Sequence, residues 1–125
     1  MPFSSKNIIA IVGASNNPDK YGYKVLADLQ AAGWHLIPIN PKEENILDLK
    51  VYRSILDVPE KIDGVVFVTQ PAVTEQMLLE VKQLGIKDVW FQPGAASDGV
   101  VSFCKINNIN YINDACIMVE KKNLK

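Results

Sequence analysis

This chain of 125 residues lacks an excess of either positive or negative charge. Its 13 Lys and Arg residues nearly balance 14 Asp and Glu residues, and the net charge is −1. Proteins that bind nucleic acid or anionic membranes through general electrostatic attraction need surplus positive charge. We therefore expect neither nucleic acid nor a membrane as a partner.

Long apolar segments are also missing. Runs such as Val65–Val68 are far too short to span a bilayer, and the first residues, Met1–Lys6, contain no apolar segment typical of a secretory signal peptide. We expect a cytoplasmic protein.

Cysteine and histidine are scarce, with Cys104, Cys116 and His35 as the whole set. Two cysteines do not make a disulfide framework, and neither has the CxxC or Cys/His spacing of a metal site. One histidine gives no convincing Ser-His-Asp arrangement. The sequence therefore predicts no metal ligand and no catalytic residue, and it favours binding over catalysis.

What the chain does have is an alternation of short apolar runs with amphipathic segments. The apolar runs predict five buried strands, at Ile8–Val12, His35–Ile39, Gly64–Val68, Asp88–Phe91 and Asn110–Asn113. Apolar residues at helical spacing predict helices between them, at Tyr21–Ala32, Val73–Leu84 and Ser97–Ile106.

Strands joined by helices of this length form βαβ units with a parallel sheet. We predict an α/β, Rossmann-like, doubly wound sheet of about five strands in a three-layer αβα arrangement, with a single domain over residues 1–125. Residues 43–59 are expected to be irregular, with one helical turn around Ser54–Leu56. The polar end, Glu120–Lys125, is expected to fray.

Ligands of doubly wound sheets bind outside the carboxyl ends of the strands, so the residues after each strand are informative. After the first strand, a dinucleotide fingerprint would place glycines at positions 13, 15 and 18, but Ser15 and Pro18 follow Gly13 there. Backbone N–H groups at the start of the helix can bind a pyrophosphate without those glycines. The alternative is a plain connection between strand and helix.

The second strand is followed by Asn40, Pro41 and Lys42. An NAD site has Asp or Glu near this position to bind the ribose hydroxyls, whereas this chain has an amide and then a cation. A lysine here favours a ligand with an extra phosphate, such as NADP or coenzyme A (CoA). The alternative is an ordinary surface lysine.

The third strand is followed by Thr69, Gln70 and Pro71, and the fourth by Gln92–Gly94. Thr69 and Gln70 offer hydrogen bonds to a ligand base or amide, although Thr69 is equally suited to capping the next helix. Pro71 near the first helical position leaves N–H groups facing the crevice. The glycine after the fourth strand permits close approach of a ligand to the backbone, or forms only a tight turn.

Five segments, in this order, resemble a known family. They are VGAS at Val12–Ser15, YGYKV at Tyr21–Val25, IPINPK at Ile37–Lys42, WFQPGA at Trp90–Ala95 and DAC at Asp114–Cys116. Over nearly its whole length, the chain resembles the stand-alone CoA-binding domain family, whose members are similar to the N-terminal CoA-binding domain of the succinyl-CoA synthetase α subunit. The resemblance implies binding of CoA or an acyl-CoA. Whether a protein partner or a homo-oligomer is also involved stays open at this point.

By this resemblance, the loop Gly13–Asn16 cradles the CoA phosphates, Lys42 contacts a phosphate, and Val68–Pro71 and Gln92–Gly94 flank the adenine and pantetheine. The candidate CoA-binding residues are Gly13, Ala14, Ser15, Asn16, Tyr21, Gly22, Asn40, Pro41, Lys42, Val68, Thr69, Gln70, Pro71, Gln92, Pro93 and Gly94. A side chain at Gly13 would block the phosphates, so we expect Gly13→Val to abolish binding with a modest loss of stability.

Two departures from the family pattern stand out. Many members carry an arginine just after the third-strand phenylalanine, where this chain has Val68-Thr69-Gln70. The synthetase subunit also has a second domain with a phosphorylated histidine, which we do not expect here, and His35 is expected at a strand start or on the surface. Cys116, near the predicted crevice, is either a buried, inert thiol or one that exchanges with the CoA thiol.

Two other functions remain open at this point. One is an NADP-linked oxidoreductase or its cofactor-binding module, against which the lost glycine fingerprint counts. The other is a regulatory Rossmann module that acts through a protein partner.

Overall fold

The computed structural model describes residues 1–124. Its strands and helices, in chain order, are β1 (Ile8–Val12), α1 (Tyr21–Ala31), β2 (His35–Ile39), β3 (Asn45–Ile46), β4 (Leu49–Lys50), β5 (Gly64–Phe67), α2 (Pro71–Leu84), β6 (Asp88–Phe91), α3 (Asp98–Ile106), β7 (Asn110–Ile112) and α4 (Ile117–Glu120). Five strands form one parallel sheet in the order β2-β1-β5-β6-β7. The predicted fold class is therefore confirmed.

Strand residues alternate between the two faces of this sheet. In β1, Ile9 and Ile11 pack in the core on the side of α1 and α4, whereas Ala10 and Val12 pack in the core on the side of α2 and α3. Because both faces are covered, the strands are continuous apolar runs, which is why the sequence identifies them.

Local sequence signals set the helix ends. Helix α2 starts at Pro71, two residues before the predicted start, because proline is preorganised for the first helical position. It ends at Gly85, which adopts a left-handed φ of 71°. Ser97 caps α3 as predicted, since its Oγ accepts a hydrogen bond from the Val100 N–H at 3.3 Å.

Residues 43–59 are more ordered than expected. Besides the predicted helical turn, a 3₁₀ helix at Ile55–Asp57, they contain a small antiparallel hairpin of β3 and β4. Leu47 and Asp48 adopt left-handed φ values of 51° and 64° at its turn. The sequence does not signal this turn clearly, because Leu47 stands where turns of this kind normally carry Asn, Asp or Gly.

The expectation that the polar end frays is wrong within residues 120–124. Helix α4 runs into a 3₁₀ turn at Lys121–Asn123, and Ile117 is fully buried. The Lys121 ammonium also lies 2.8 Å from Asp28 Oδ2 in α1. Burial and this ion pair hold the segment against α1, while Lys125 lies outside the described residues.

The strand order reverses between β1 and β5. The chain runs from β1 outwards to β2 through α1, and later returns to the other side of β1 at β5. The loops after β1 and β5 therefore part in opposite directions and leave a crevice, where doubly wound folds bind ligands. No helix within residues 1–124 is long and apolar enough to span a bilayer.

Candidate functional site

A cleft of about 720 Å³ opens at this crevice. Its volume lies within the range of roughly 300–1,000 Å³ that is typical of small-molecule sites. Its lining residues are Gly13, Ser15, Lys20, Tyr21, Gly22, Asn40, Val68, Thr69, Gln70, Gln92, Pro93, Gly94, Ala95 and Cys116. Another surface cavity, of about 490 Å³, lies along β7, the edge strand of the sheet.

Gly13 forms the turn that leaves β1. Its φ is 93°, a left-handed conformation that favours glycine. A Cβ on Gly13 would overlap the carbonyl oxygen of Val68 and lie 2.8 Å from Thr69 Cγ2. The chains leaving β1 and β5 are thus in direct contact, and this contact argues for a larger loss of stability in Gly13→Val than the modest loss expected from the sequence.

Helix α1 starts against the same turn. A Cβ on Gly22 would overlap the Gly13 carbonyl oxygen and lie 3.2 Å from the Ser15 nitrogen. Close packing of helix and strand is the role of the third glycine in a dinucleotide fingerprint, and here Gly22 takes that role. The first helical N–H groups, at Tyr21 and Gly22, lack intrahelical acceptors and suit an anion.

Asn40 ties the loops after β1 and β2 together. Its Nδ2 donates to the Ala14 carbonyl oxygen at 2.7 Å, and its Oδ1 accepts from the Lys42 N–H at 2.7 Å. Both ends of the amide are therefore engaged within the protein. Asn40 lines the cleft, yet its geometry is that of a group that positions the loops.

Thr69 and Gln70 reach the cleft from the end of β5. The Thr69 hydroxyl lies 2.7 Å from the hydroxyl of Thr74 in α2. The cap position of α2 is Gln70, whose side chain makes no capping bond. Thr69 therefore does not cap α2, although the residue itself lines the cleft.

The opposite wall is built around Gln92, which is 5% exposed. Its Oε1 accepts from the Ile117 N–H at 2.8 Å, and its Nε2 donates to Cys116 Sγ at 3.3 Å. From the same strand, Trp90 Nε1 donates to the Ala115 carbonyl oxygen at 2.8 Å. Strand β6 thus holds residues 115–117 against its own end and makes Cys116 part of the cleft.

The charge of the cleft has one sign. Among the described residues that line it, none is acidic, and Lys20 is the cationic one.

The two thiols differ, since Cys116 is half-buried at the cleft whereas Cys104 is fully buried in the core. Burial raises the pKa of Cys104 to about 11.

Most of the predicted binding residues line this cleft, and those that do not are Ala14, Asn16, Pro41, Lys42 and Pro71. Ala14 is fully buried, so it offers a ligand backbone atoms alone. The Asn16 amide donates to the Glu43 carboxylate and, at 2.9 Å, to the Asn45 carbonyl oxygen. The Lys42 side chain is exposed beyond Asn40, and its contact with a phosphate stays a prediction.

Three lining residues, Lys20, Ala95 and Cys116, are absent from the predicted set. A signal was available at Lys20, a cation directly before α1. Cys116 follows no sheet strand directly, so its place in the cleft depends on a tertiary contact with Gln92.

Other groups with reactive potential lie away from the cleft. His35 starts β2, as predicted, and its Nε2 lies 3.0 Å from Glu60 Oε2 on the surface. The part of the chain that the structure describes contains no group of three His, Cys, Asp or Glu residues that could hold a metal ion.

A parallel α/β domain with a ligand-sized cleft at its strand-order reversal, lined within the described residues by no acidic side chain, defines a Rossmann-like domain with a candidate ligand site. The chain belongs to the CoA binding domain family, whose sequence model matches residues 7–122. The resemblance to CoA-binding domains is thereby confirmed.

Two relatives illustrate the range of the family. YneT, an uncharacterized protein of Bacillus subtilis, is 31% identical over 115 residues that cover 89% of this chain and 82% of YneT. The α subunit of the ADP-forming acetate–CoA ligase II of Pyrococcus furiosus is 35% identical over 82 residues that cover 65% of this chain. The match spans 18% of that subunit.

A solved structure has the same fold over nearly the whole chain. A conserved hypothetical protein from Pyrococcus furiosus superposes with a TM-score of 0.88 and 43% identity. The match covers 91% of this chain and 98% of that protein. The similarity therefore extends over the whole domain.

Proposed function

We propose that this protein binds CoA or an acyl-CoA in the cleft at the carboxyl ends of β1, β5 and β6, without covalent chemistry of its own. The observation that carries the proposal is the contact between Gly13 and Gly22, which places the start of α1 beside a cleft whose described lining is not acidic. Family membership and the CoA named for the ligase relative support the choice of ligand.

The wall at α1 suits the phosphates of CoA. Backbone N–H groups at Tyr21 and Gly22 point from the first helical turn, where the positive end of the helix dipole favours an anion. Because positions 13 and 22 are glycines without a Cβ, no side chain at either position blocks the approach of a phosphate to the backbone. Lys20 adds positive charge within the lining, and Lys42 adds it at the surface nearby.

The remaining lining suits the uncharged parts of the ligand. Thr69 and Gln70 on one side, and Pro93 and Gly94 on the other, offer a hydroxyl, an amide and an apolar surface for adenine and pantetheine. When bound, CoA supplies a thiol that carries acyl groups.

The non-catalytic part of the proposal rests on the lining residues. Their ionisable side chains are Lys20, Tyr21 and Cys116, which do not form an acid–base pair of the kind used in catalysis. Ligase activity belongs to relatives of which this chain matches a fifth or less, and we do not extend it to this chain. We place the protein in the cytoplasm, in line with its two free thiols.

Thermal shift and calorimetric titration with CoA, acetyl-CoA, NADPH and NADH test the proposal. A ligand that binds only the folded state, at about 100 times its Kd, adds roughly 2.7 kcal/mol of stability. We expect CoA to raise the melting temperature and NADH not to, because Asn40 stands where an NAD site has an acid. A shift with NADH and none with CoA would contradict the proposal.

The other outcomes are equally informative. A shift with NADPH alone would identify an NADP module, and no shift with any of the four would favour a regulatory domain that acts through a protein partner. Dephospho-CoA, which lacks the 3′-phosphate, then tests whether Lys42 contacts that phosphate. If it does, dephosphorylation and Lys42→Ala should weaken binding to the same extent.

A further inference from the structure

Tyr21 is a large aromatic side chain that the fold leaves exposed at the cleft. It is the first residue of α1, lines the cleft and is 65% exposed. Among the described lining residues, it is the aromatic one. The two tryptophans, Trp34 and Trp90, are buried in the core on the side of α1 and α4. A planar ligand group that needs an aromatic surface in this cleft therefore meets Tyr21.

The place of Tyr21 on its helix directs the ring towards the cleft. Side chains on a helix tilt towards the N-terminus of that helix. In a parallel βαβ unit the helix N-terminus lies at the carboxyl ends of the strands, where the cleft opens. Tyr21 has no preceding helical turn to rest on, so its ring stands at the rim of the cleft rather than on the flank of α1.

Lys24, one turn further along α1, covers part of the ring. Its Nζ lies 5.3 Å from the ring centroid, within the distance of about 6 Å at which a cation–π contact is attractive. Residues three apart on a helix are neighbours, so this contact needs no distant part of the fold. Because Tyr21 remains mostly exposed, the ring keeps surface that is open to a ligand.

The ligand of the proposed function has one planar aromatic group, its adenine. A ribose joins the adenine to the pyrophosphate, and the proposed phosphate site includes the N–H of Tyr21 itself. The pantetheine arm, in contrast, is a flexible chain without a ring. We infer that Tyr21 stacks on the adenine of the bound ligand, with Lys24 as a positioning residue that holds the tyrosine ring. This inference rests on the proposed CoA site.

Stacking of this kind contributes affinity rather than a choice among adenine nucleotides. Offset stacking of two aromatic rings stabilises a complex beyond the apolar area that it buries. CoA, ADP and NADPH all carry adenine, so the preference for CoA comes from other parts of the cleft. The inference therefore concerns which part of CoA each wall binds.

Calorimetric titration of CoA into the wild type, Tyr21→Phe and Tyr21→Leu tests the inference. Leucine is apolar and favours a helix but has no ring, whereas phenylalanine keeps the ring and lacks the hydroxyl. We expect Tyr21→Leu to weaken binding about tenfold and Tyr21→Phe to bind within about twofold of the wild type. Equal losses in the two variants would show that the hydroxyl, not the ring, contacts the ligand, and would overturn the inference.

Two fragments of CoA identify the part of the ligand that Tyr21 contacts. ADP retains the adenine and the pyrophosphate, whereas 4′-phosphopantetheine has no adenine. We expect Tyr21→Leu to weaken ADP binding by the same factor as CoA binding and to leave the Kd of 4′-phosphopantetheine unchanged. A loss with 4′-phosphopantetheine and none with ADP would place the ring against pantetheine, which contradicts the inference.

A double variant tests the role of Lys24. Lys24→Met keeps the length of the side chain, removes its charge and should weaken CoA binding about threefold, because the ring is held less firmly. If Lys24 acts through the ring, adding Lys24→Met to Tyr21→Leu causes no further loss. A further loss in the double variant would show that Lys24 attracts the ligand directly, which overturns its positioning role.

Tyr52 supplies the matched control. Its ring makes the same kind of contact, with Lys50 Nζ 5.0 Å from the centroid, but it does not line the cleft. Tyr52→Leu, checked for native circular dichroism like every variant, should leave the Kd of CoA unchanged. An unchanged Kd in Tyr21→Leu, or an equal loss in Tyr52→Leu, would overturn the inference while the wild type still binds CoA. Absence of CoA binding by the wild type would overturn the proposed function as well, so the two failures are distinguishable.

Discussion

The two walls of the cleft are built in opposite ways. On the β1 side, the wall consists of backbones in contact, at Gly13 and Gly22, where no side chain fits. On the β6 side, the wall depends on side-chain hydrogen bonds: the buried Gln92 amide bonds to Cys116 and Ile117, and Trp90 Nε1 donates to the Ala115 carbonyl oxygen. We call them the glycine wall and the glutamine wall.

Because of this difference, we expect substitutions in the two walls to have different effects on stability. A side chain added at the glycine wall must push apart the ends of β1 and β5, which belong to the centre of the sheet. Removal of the Gln92 side chain at the glutamine wall leaves the strands in place and releases only residues 115–117. We therefore expect the first wall to fail by global unfolding and the second by local opening.

The largest effect is expected for Gly13→Ala. The new Cβ overlaps the Val68 carbonyl oxygen and also forces alanine into a left-handed conformation. Together these should lower the free energy of unfolding by about 3–5 kcal/mol, measured by urea denaturation.

Two other glycines separate the causes of that loss. Gly33 also has a left-handed φ, of 84°, but no atom lies within 4 Å of its Cβ position, so Gly33→Ala should cost about 1–2 kcal/mol. Gly22→Ala, in a helix, meets the overlap alone and should fall between the two. Equal losses for Gly13→Ala and Gly33→Ala would show that the strand ends are not in contact.

The second-largest loss of stability is expected for Gln92→Ala at the glutamine wall. The variant removes two hydrogen bonds, leaves the Ile117 N–H unpaired and creates a small cavity, so we expect a loss of about 2–4 kcal/mol. A thiol reagent should also label Cys116 faster than in the wild type, before global unfolding.

Gln70→Ala is the matched control, because Gln70 is an exposed glutamine at the cleft whose side chain makes no capping bond. It should change stability by no more than about 0.5 kcal/mol and leave the labelling rate unaltered. An unchanged labelling rate in Gln92→Ala would mean that the amide does not hold this wall.

The two thiols sharpen the comparison, since Cys116 belongs to the glutamine wall and Cys104 to neither wall. Burial raises the pKa of Cys104 from 9.0 to about 11, so between these values the unfolded thiol loses its proton while the folded one keeps it. Stability attributable to Cys104 is thus complete below pH 9 and falls by roughly 2–3 kcal/mol as the pH rises through 11.

Urea denaturation of the wild type and Cys104→Ala across this pH range isolates the contribution of Cys104, since the other titrating groups are common to both. The difference in stability between the two proteins should shrink with rising pH. A difference that stays constant would show that the Cys104 thiol titrates normally.

The smallest effects are expected for lysines near the glycine wall. If this wall holds the phosphates, Lys20→Ala should weaken CoA binding about tenfold and the more distant Lys42→Ala about threefold, with a reduced dependence on salt. Titration at two salt concentrations measures both, with Lys105→Ala in α3 as the control. Equal Kd values for all four proteins would assign the phosphates elsewhere.

Local signals account for the parts of the fold that the sequence predicts. Strands β1, β2 and β6 have the predicted boundaries because each contains an apolar run that stops at a polar or turn-forming residue. Gly85 and Ser97 mark helix ends through their own backbone or hydroxyl, without help from distant residues. The β3–β4 hairpin escapes prediction because its turn uses Leu47 and Asp48.

The candidate site is predictable where its residues directly follow a strand, as Thr69 and Gln92 do. Cys116 lacks such a signal, because its place depends on a side-chain contact formed only in the folded chain. Gly22 fits no fixed glycine spacing, since the long loop after Gly13 delays the start of α1.

The glutamine wall also has a consequence for the order of synthesis. Residues 115–117 complete the cleft, yet they leave the ribosome after β1, β5 and β6, which carry the rest of the site. A ligand stabilises only the state that binds it. If binding at the proposed site requires this wall, a partly synthesised chain gains no stability from the ligand until these residues have emerged. Proteolytic removal of the segment from Ala115 onwards would then remove one wall and the protection by ligand in a single event.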